Sequence, residues 1–184
     1  ASEQLVAEIS AQADEYRFFH WHLEFPEVFT PAAQPVDHPW GVEGGFDAVL
    51  GNPPWDKIKM EEVPWFTQHD PAIAGAGTAA QRKRLIANLK DSNPSLHALF
   101  ERDKRRFENE SKMLRATGLY PLGAVGDVNT YAVFTELNNN LTSPKGRAGF
   151  IVPSGIATDS GTSRLFGALA GKDRIKSLYS FDNR

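Results

Sequence analysis

The sequence contains no cysteine. Disulfide bonds, thiol catalysis and cysteine-based zinc sites are therefore excluded. No apolar run approaches the ~20 residues that a membrane-spanning helix needs. The stretch from Ala1 to Asp14 is amphipathic and acidic, without the basic start and apolar core of a signal peptide. Together these absences predict a cytoplasmic protein that does not use a membrane.

Basic residues are also fewer than acidic ones, 20 against 23, so the formal net charge is −3. The charge is unevenly spread, because residues 82–115 hold ten Lys or Arg and only five Asp or Glu. Affinity for nucleic acid follows local patches rather than the total charge. This stretch is therefore a candidate phosphate-binding surface, with a solvated helix face as the alternative. The candidate residues, called the basic cluster below, are Arg82, Lys83, Arg84, Arg102, Lys104, Arg105 and Arg106.

The hydrophobic pattern predicts an α/β protein, because helical and strand periodicities alternate along the 184 residues. Capping residues support two of the helices: Thr78 precedes one, and Asn93 with Pro94 opens the next. Residues 67–77 are predicted to form a loop at the start of a helical insertion over about 67–118. Helices are predicted over 3–18, 79–90, 94–117, 128–141 and 162–170, and strands over 18–25, 46–50, 146–152 and 175–181.

Two histidines stand out in the aromatic run before Pro26. The alternation predicts that His20 and His22 share one face of a strand, where they could bind a metal. No third ligand stands at a recognisable spacing, so we predict no metal site.

The most informative stretch begins with the strand Phe46–Leu50. It is short and nearly continuously apolar, which predicts a strand buried on both faces, as in a parallel sheet. The strand stops at Gly51, and Asn52-Pro53-Pro54-Trp55 follows. Loops at the carboxyl ends of strands carry the ligands in open α/β sheets. These four residues are therefore the candidate active site; the alternative is a proline turn with a core tryptophan.

The Asn-Pro-Pro-Trp loop resembles the catalytic motif of amino-methyltransferases, in particular the adenine N6 DNA methyltransferases. The side-chain oxygen of Asn52 and the carbonyl of Pro53 would accept the two hydrogens of an adenine amine, leaving its lone pair free to attack a sulfonium methyl. Both prolines fix φ near −65°, so the carbonyl is aimed in advance. Trp55 offers a flat face to a base flipped out of the duplex.

The resemblance extends to the large bacterial adenine N6 methyltransferases of restriction-modification and phage-defence systems. It implies part of a Rossmann-like, S-adenosylmethionine-dependent methyltransferase sheet with a helical insertion, and double-stranded DNA as the substrate. It places Asp127, Asn129 and Tyr131 near the cofactor. The similar blocks are Phe19–Phe29, Gly45–Trp55, Gly126–Phe134, Gly149–Ser154 and Leu178–Arg184.

One part of the family pattern is missing, since no glycine-rich strand–turn–helix precedes Gly44. We therefore interpret residues 1–184 as the catalytic-side part of a methyltransferase domain, without its glycine-rich cofactor half and its target-recognition region. The rest of the polypeptide or a complementary subunit would supply these parts, and the isolated chain is expected to be inactive. No convincing endonuclease pattern is present.

Two alternatives stay open. RNA adenine and protein glutamine methyltransferases use similar Asn-Pro-Pro-aromatic loops, so the acceptor could differ. A catalytically silent module for assembly or nucleic-acid binding is the second alternative, because the cofactor half is missing.

Overall fold

The structure is a computed structural model that describes residues 2–34, 40–172 and 174–181. The chain divides into two compact units. The first consists of Ala1–Val49 and Asn140–Arg147, and the second of Leu50–Asn139 and Ala148–Arg184. Within the described ranges, no helix is both long and apolar enough to cross a membrane.

Helices and short strands give the described chain a mixed α/β composition. The helices are α1 (Glu3–Tyr16), α2 (Trp21–Glu24), α3 (Glu62–His69), α4 (Pro71–Ala74), α5 (Ala79–Ser92), α6 (Pro94–Ala116), α7 (Thr130–Leu141), α8 (Gly155–Thr158) and α9 (Ser163–Gly171). The strands are β1 (Phe29–Pro31), β2 (Val42–Gly44), β3 (Phe46–Gly51) and β4 (Thr142–Phe150). Strands β1 and β2 form one antiparallel pair, and β3 and β4 form a second two-stranded sheet.

The first unit opens with α1, which confirms the first predicted helix. Its cap is Ser2, whose hydroxyl accepts a hydrogen bond from the N–H of Leu5 at 3.3 Å. The predicted strand over 18–25 is wrong, because α2 lies there instead. Helical spacing lets Trp21 and Phe25 stack at 5.9 Å, and both rings then pack edge-on against Phe46.

A pair of glycines joins β2 to β3: Gly44 ends β2, and Gly45 lies between the two strands. Gly44 has φ +108° and Gly45 has φ +133°, a region that side chains rarely adopt. A Cβ on Gly44 would lie 2.1 Å from the carbonyl oxygen of Val28. Glycine is therefore required where the chain enters the strand before the candidate active site.

The strand predicted over 46–50 is confirmed as β3, but the prediction that it is buried on both faces is wrong. No residue of β3 is fully buried, and 84% of Leu50 is exposed. Among the described residues, β3 pairs with β4 alone, so it is an edge strand and not a central strand of a parallel sheet. The N–H of Ile151 donates to the carbonyl of Gly51 at 3.4 Å, so the two carboxyl ends lie side by side, as in a parallel pair.

Of the other two strand predictions, one is confirmed with different bounds and one is wrong. The strand predicted over 146–152 is present as β4, although it begins at Thr142 and ends at Phe150. The strand predicted over 175–181 is wrong, because the described residues 174–181 have no regular secondary structure.

A helical layer, α3 to α6, occupies much of the second unit. Its core consists of Phe66, Ile73, Ile86, Leu89 and Phe100. Both predicted caps are confirmed: the hydroxyl of Thr78 accepts from the N–H of Gln81, and Asn93 accepts from the N–H of Leu96. The predicted loop over 67–77 is confirmed only at residues 75–77, since α3 runs to His69 and α4 follows, capped by Asp70.

The predicted helix after Asp127 begins later than expected. Its first residue is Thr130, because Asn129 forms an isolated antiparallel β-bridge with Lys57 and Val128 has no helical structure. Val128 is buried, and its carbonyl accepts a hydrogen bond from the N–H of Ile58 at 2.9 Å, beside this bridge. The last predicted helix is confirmed as α9. Helices α7, α8 and α9 share a core made by Tyr131, Ala132, Ile156 and Leu165.

Candidate active site

The Asn-Pro-Pro-Trp loop leaves the sheet where β3 and β4 end. The indole N–H of Trp55 donates to the carbonyl of Ile151, one residue beyond β4, at 3.3 Å. About half of Trp55 (52%) is exposed, so it is not the core tryptophan of the structural alternative. The hydrogen bond fixes the polar edge of the ring and leaves part of the ring open to a ligand.

Two acceptors of the loop have no hydrogen-bond partner among the described residues. The side chain of Asn52 is exposed, and within the described residues it has no hydrogen-bond partner. The carbonyl of Pro53 is likewise unbonded among the described residues, although its ring is buried. A ligand amine could therefore donate to both without displacing a contact within the protein.

A cleft of about 580 Å³ lies against the start of α7. It brings together the three residues expected near the cofactor, Asp127, Asn129 and Tyr131. Lys57 and the turn before α9 complete a polar lining. The volume is within the range of ~300–1,000 Å³ that small-ligand sites occupy.

Sequence reasoning missed Asp159, which also lines the cleft. The hydroxyl of Tyr131 donates to its carboxylate at 3.5 Å. Burial, together with the charge of Asp159, raises the pKa of Tyr131 above its ordinary value. The tyrosine therefore stays protonated and remains a donor at neutral pH.

Sequence reasoning also missed Glu136, a buried acidic residue on α7. Its carboxylate accepts the N–H groups of Leu122 at 3.1 Å and Gly123 at 2.6 Å, and Gly123 lines the cleft. Burial raises the pKa of Glu136, and the two hydrogen bonds oppose that effect.

The basic cluster lies on α5 and α6, as predicted, but its members differ in their surroundings. Arg82 is bound to Glu62 at 2.9 Å, and Arg102 is bound to its neighbour Asp103 at 3.0 Å. Arg106 pairs with Glu110 one turn further along α6. These three charges are partly neutralised within the protein.

The remaining members of the basic cluster are exposed. Lys83, Arg84 and Lys104 have no ion-pair partner in the described part of the chain, and Arg105 donates to the carbonyl of Glu101 on its own helix. Contacts to phosphate would therefore rest mainly on these four side chains.

The histidine pair is the remaining sequence-derived candidate. His20 precedes α2 and His22 lies within it, with ring centroids 5.9 Å apart. Across the described residues, no group of three His, Cys, Asp or Glu side chains could hold a metal ion.

Comparison with known protein families gives a match over the first part of the chain. Residues 2–84 match the model of the Eco57I restriction-modification methylase family. No curated protein and no solved structure gave a match. The matched residues include the Asn-Pro-Pro-Trp loop and end within α5, before most of the basic cluster. The match supports a partial methyltransferase domain of the restriction-modification type.

Proposed function

We propose that this chain is the catalytic-side portion of an S-adenosylmethionine-dependent adenine N6 DNA methyltransferase of a restriction-modification or phage-defence system. One observation carries the proposal. Among the described residues, the side chain of Asn52 and the carbonyl of Pro53 are acceptors without a hydrogen-bond partner, next to a half-exposed Trp55 at the edge where β3 and β4 end. The family match over residues 2–84 supports the same class of enzyme.

The four loop residues then have separate roles. Asn52 and Pro53 accept the two hydrogens of the adenine amine and favour a tetrahedral nitrogen, whose lone pair becomes available. Pro54 restricts the backbone of Pro53, so its carbonyl needs no reorganisation. Trp55 stacks on the flipped base, a contact worth ~1–3 kcal/mol. No strong base is needed, because the amine becomes acidic only as the methyl group arrives.

S-adenosylmethionine supplies the methyl group in this proposal. The cleft beside α7 fits such a ligand in size, and Asp127 and Asp159 are suited to its positive charge. Asn129 and Tyr131 add polar groups to the same wall. These side chains are proposed cofactor contacts, in addition to a glycine-rich turn that would be supplied outside residues 1–184, in a Rossmann-like sheet.

The direct test of the proposed function is methyl transfer. The natural full-length protein that contains these residues is incubated with tritium-labelled S-adenosylmethionine and with unmethylated DNA, RNA or protein. We expect N6-methyladenine in DNA, identified by mass spectrometry of the digested product. Label in RNA adenine or in glutamine would favour the alternative acceptors, and label in none of them would favour a silent module.

A first prediction concerns cofactor binding by residues 1–184 alone. We expect weak or undetectable binding of S-adenosylmethionine, because a glycine-rich turn normally supplies backbone N–H groups and close approach to a nucleotide-like ligand. Isothermal titration calorimetry measures this, with an intact methylase of the matched family as the positive control. A micromolar dissociation constant for the isolated chain would contradict the prediction.

A second prediction concerns salt dependence. Changing Lys83, Arg84 and Lys104 to alanine should flatten the plot of log K against log salt for DNA, since each phosphate contact contributes ~0.9 to the slope. Fluorescence anisotropy of the natural protein with a labelled duplex measures the slope at several salt concentrations.

The matched control for salt dependence removes the same charge elsewhere. Arg164, Lys172 and Lys176 are exposed residues on or after α9, and their triple alanine variant should keep the parent slope. Equal slopes in both triple variants and the parent would assign the basic cluster to a solvated helix face.

A further inference from the structure

We infer that Thr130 is a positioning residue that fixes the Asn-Pro-Pro-Trp loop for catalysis. Thr130 is the first residue of α7, and its side chain reaches the loop from more than 70 positions away in the sequence. The inference rests on the proposed function for its catalytic consequence, but its structural part can be tested separately.

Thr130 holds the loop through both its side chain and its backbone. The hydroxyl donates to the carbonyl of Pro54 at 2.8 Å or of Asp56 at 3.0 Å, and it accepts the N–H of Asp56 at 3.0 Å. The backbone N–H of Thr130 donates to the carbonyl of Asp56 at 2.9 Å. The peptide groups on both sides of Trp55 therefore contact one residue.

These contacts determine where Trp55 points. The Pro54 carbonyl belongs to the peptide group that enters Trp55, and the Asp56 N–H belongs to the one that leaves it. With both groups held by Thr130 and the indole N–H held by the carbonyl of Ile151, the backbone and the ring of Trp55 are fixed independently. Asn52 and Pro53 lie directly before this anchored segment.

A hydroxyl on a β-branched side chain suits this role. One O–H group is both donor and acceptor, so it can bind a carbonyl and an N–H group at once. Branching at Cβ restricts the χ1 angle, so the hydroxyl stays directed at the loop. Valine has the same shape without the hydroxyl, and serine keeps the hydroxyl without the branch, which gives two informative substitutions.

The first measurement reports on the loop directly. The natural protein is labelled with 5-fluorotryptophan and its ¹⁹F NMR signals are recorded; residues 1–184 contribute four tryptophans to them. The signal of Trp55 is assigned by its loss in Trp55→Phe. In Thr130→Val we expect that signal alone to shift or broaden, while Thr130→Ser retains the parent signal.

The second measurement is the single-turnover rate of DNA methylation at saturating substrate. We expect the rate of Thr130→Val to fall roughly tenfold, because the substitution removes both the donor and the acceptor that the hydroxyl offers to the loop. Thr130→Ser should restore most of the rate, and the KM for S-adenosylmethionine should stay near the parent value. A lower melting temperature of Thr130→Val without a change in rate would show that Thr130 has only a structural role.

The matched control is Thr135→Val on the same helix. The hydroxyl of Thr135 is buried and bonds to the carbonyl of Tyr131 within α7 at 2.8 Å, away from the loop. This variant should keep both the Trp55 signal and the rate.

An unchanged Trp55 signal in Thr130→Val would overturn the inference. A changed signal together with a parent protein that methylates no DNA would uphold the anchoring role and reject the proposed function instead.

Discussion

Replacing Asn52 with alanine should lower the single-turnover rate of methyl transfer by roughly 10²–10³-fold in the natural protein. The side-chain oxygen is an acceptor whose interaction strengthens as the adenine amine becomes tetrahedral, so its loss affects the transition state more than binding. The affinity for DNA should change little. Rapid-quench measurement of N6-methyladenine at saturating DNA and cofactor tests this.

Trp55→Ala is the comparison for Asn52→Ala. This substitution should mainly weaken the binding of the flipped base, by roughly 1–3 kcal/mol. If both substitutions lowered only the melting temperature while methylation stayed near the parent rate, the loop would be a structural turn. In that case the proposed assignment of the active site would be wrong.

Replacing Glu136 with alanine should lower the free energy of unfolding by roughly 1–3 kcal/mol, because the N–H groups of Leu122 and Gly123 would lose their acceptor. The alanine variant no longer buries a carboxylate, and the removal of that desolvation cost limits the loss of stability. Chemical denaturation of the chain, with unfolding followed by circular dichroism, measures this free energy. Glu108→Gln, on an exposed position of α6, should lie within about 0.5 kcal/mol of the parent.

The stability of the Glu136→Gln variant should also depend less on pH. Burial raises the pKa of Glu136 in the folded chain above its ordinary value of 4.5. The favourable contribution of its protonated form is therefore complete below about pH 4.5 and is lost as the pH rises through the folded pKa. The parent should lose stability relative to Glu136→Gln over that window. If the difference in the free energy of unfolding between the parent and Glu136→Gln did not change with pH, folding would not shift the pKa of Glu136.

Features set by local chemistry could be predicted from the sequence. Thr78 and Asn93 cap their helices as expected, because a capping side chain needs only the N–H group three residues ahead. The strand after Gly45 and the position of the Asn-Pro-Pro-Trp loop at its end follow from a short apolar run that stops at a glycine and two prolines.

Features set by distant partners could not be predicted. Residues 21–24 form a helix rather than a strand because Trp21 and Phe25, at its two ends, both pack on Phe46, which the alternating pattern does not reveal. Asp127 fails to begin α7 because Val128 bonds to Ile58 instead. In the candidate site, the four residues of the loop were predicted, but Thr130 and Ile151, which hold the loop by hydrogen bonds, were not.

The arrangement of the loop also has a consequence for the order of folding. Trp55 is 96 residues before its anchor at Ile151, and Asp56 is 74 residues before Thr130. During synthesis the loop therefore leaves the ribosome long before its partners exist. Closing such long segments costs entropy, and the compact helical layer between them reduces the distance that must be closed. We therefore expect the helices α3 to α6 to form first and the loop to acquire its fixed geometry as a late step.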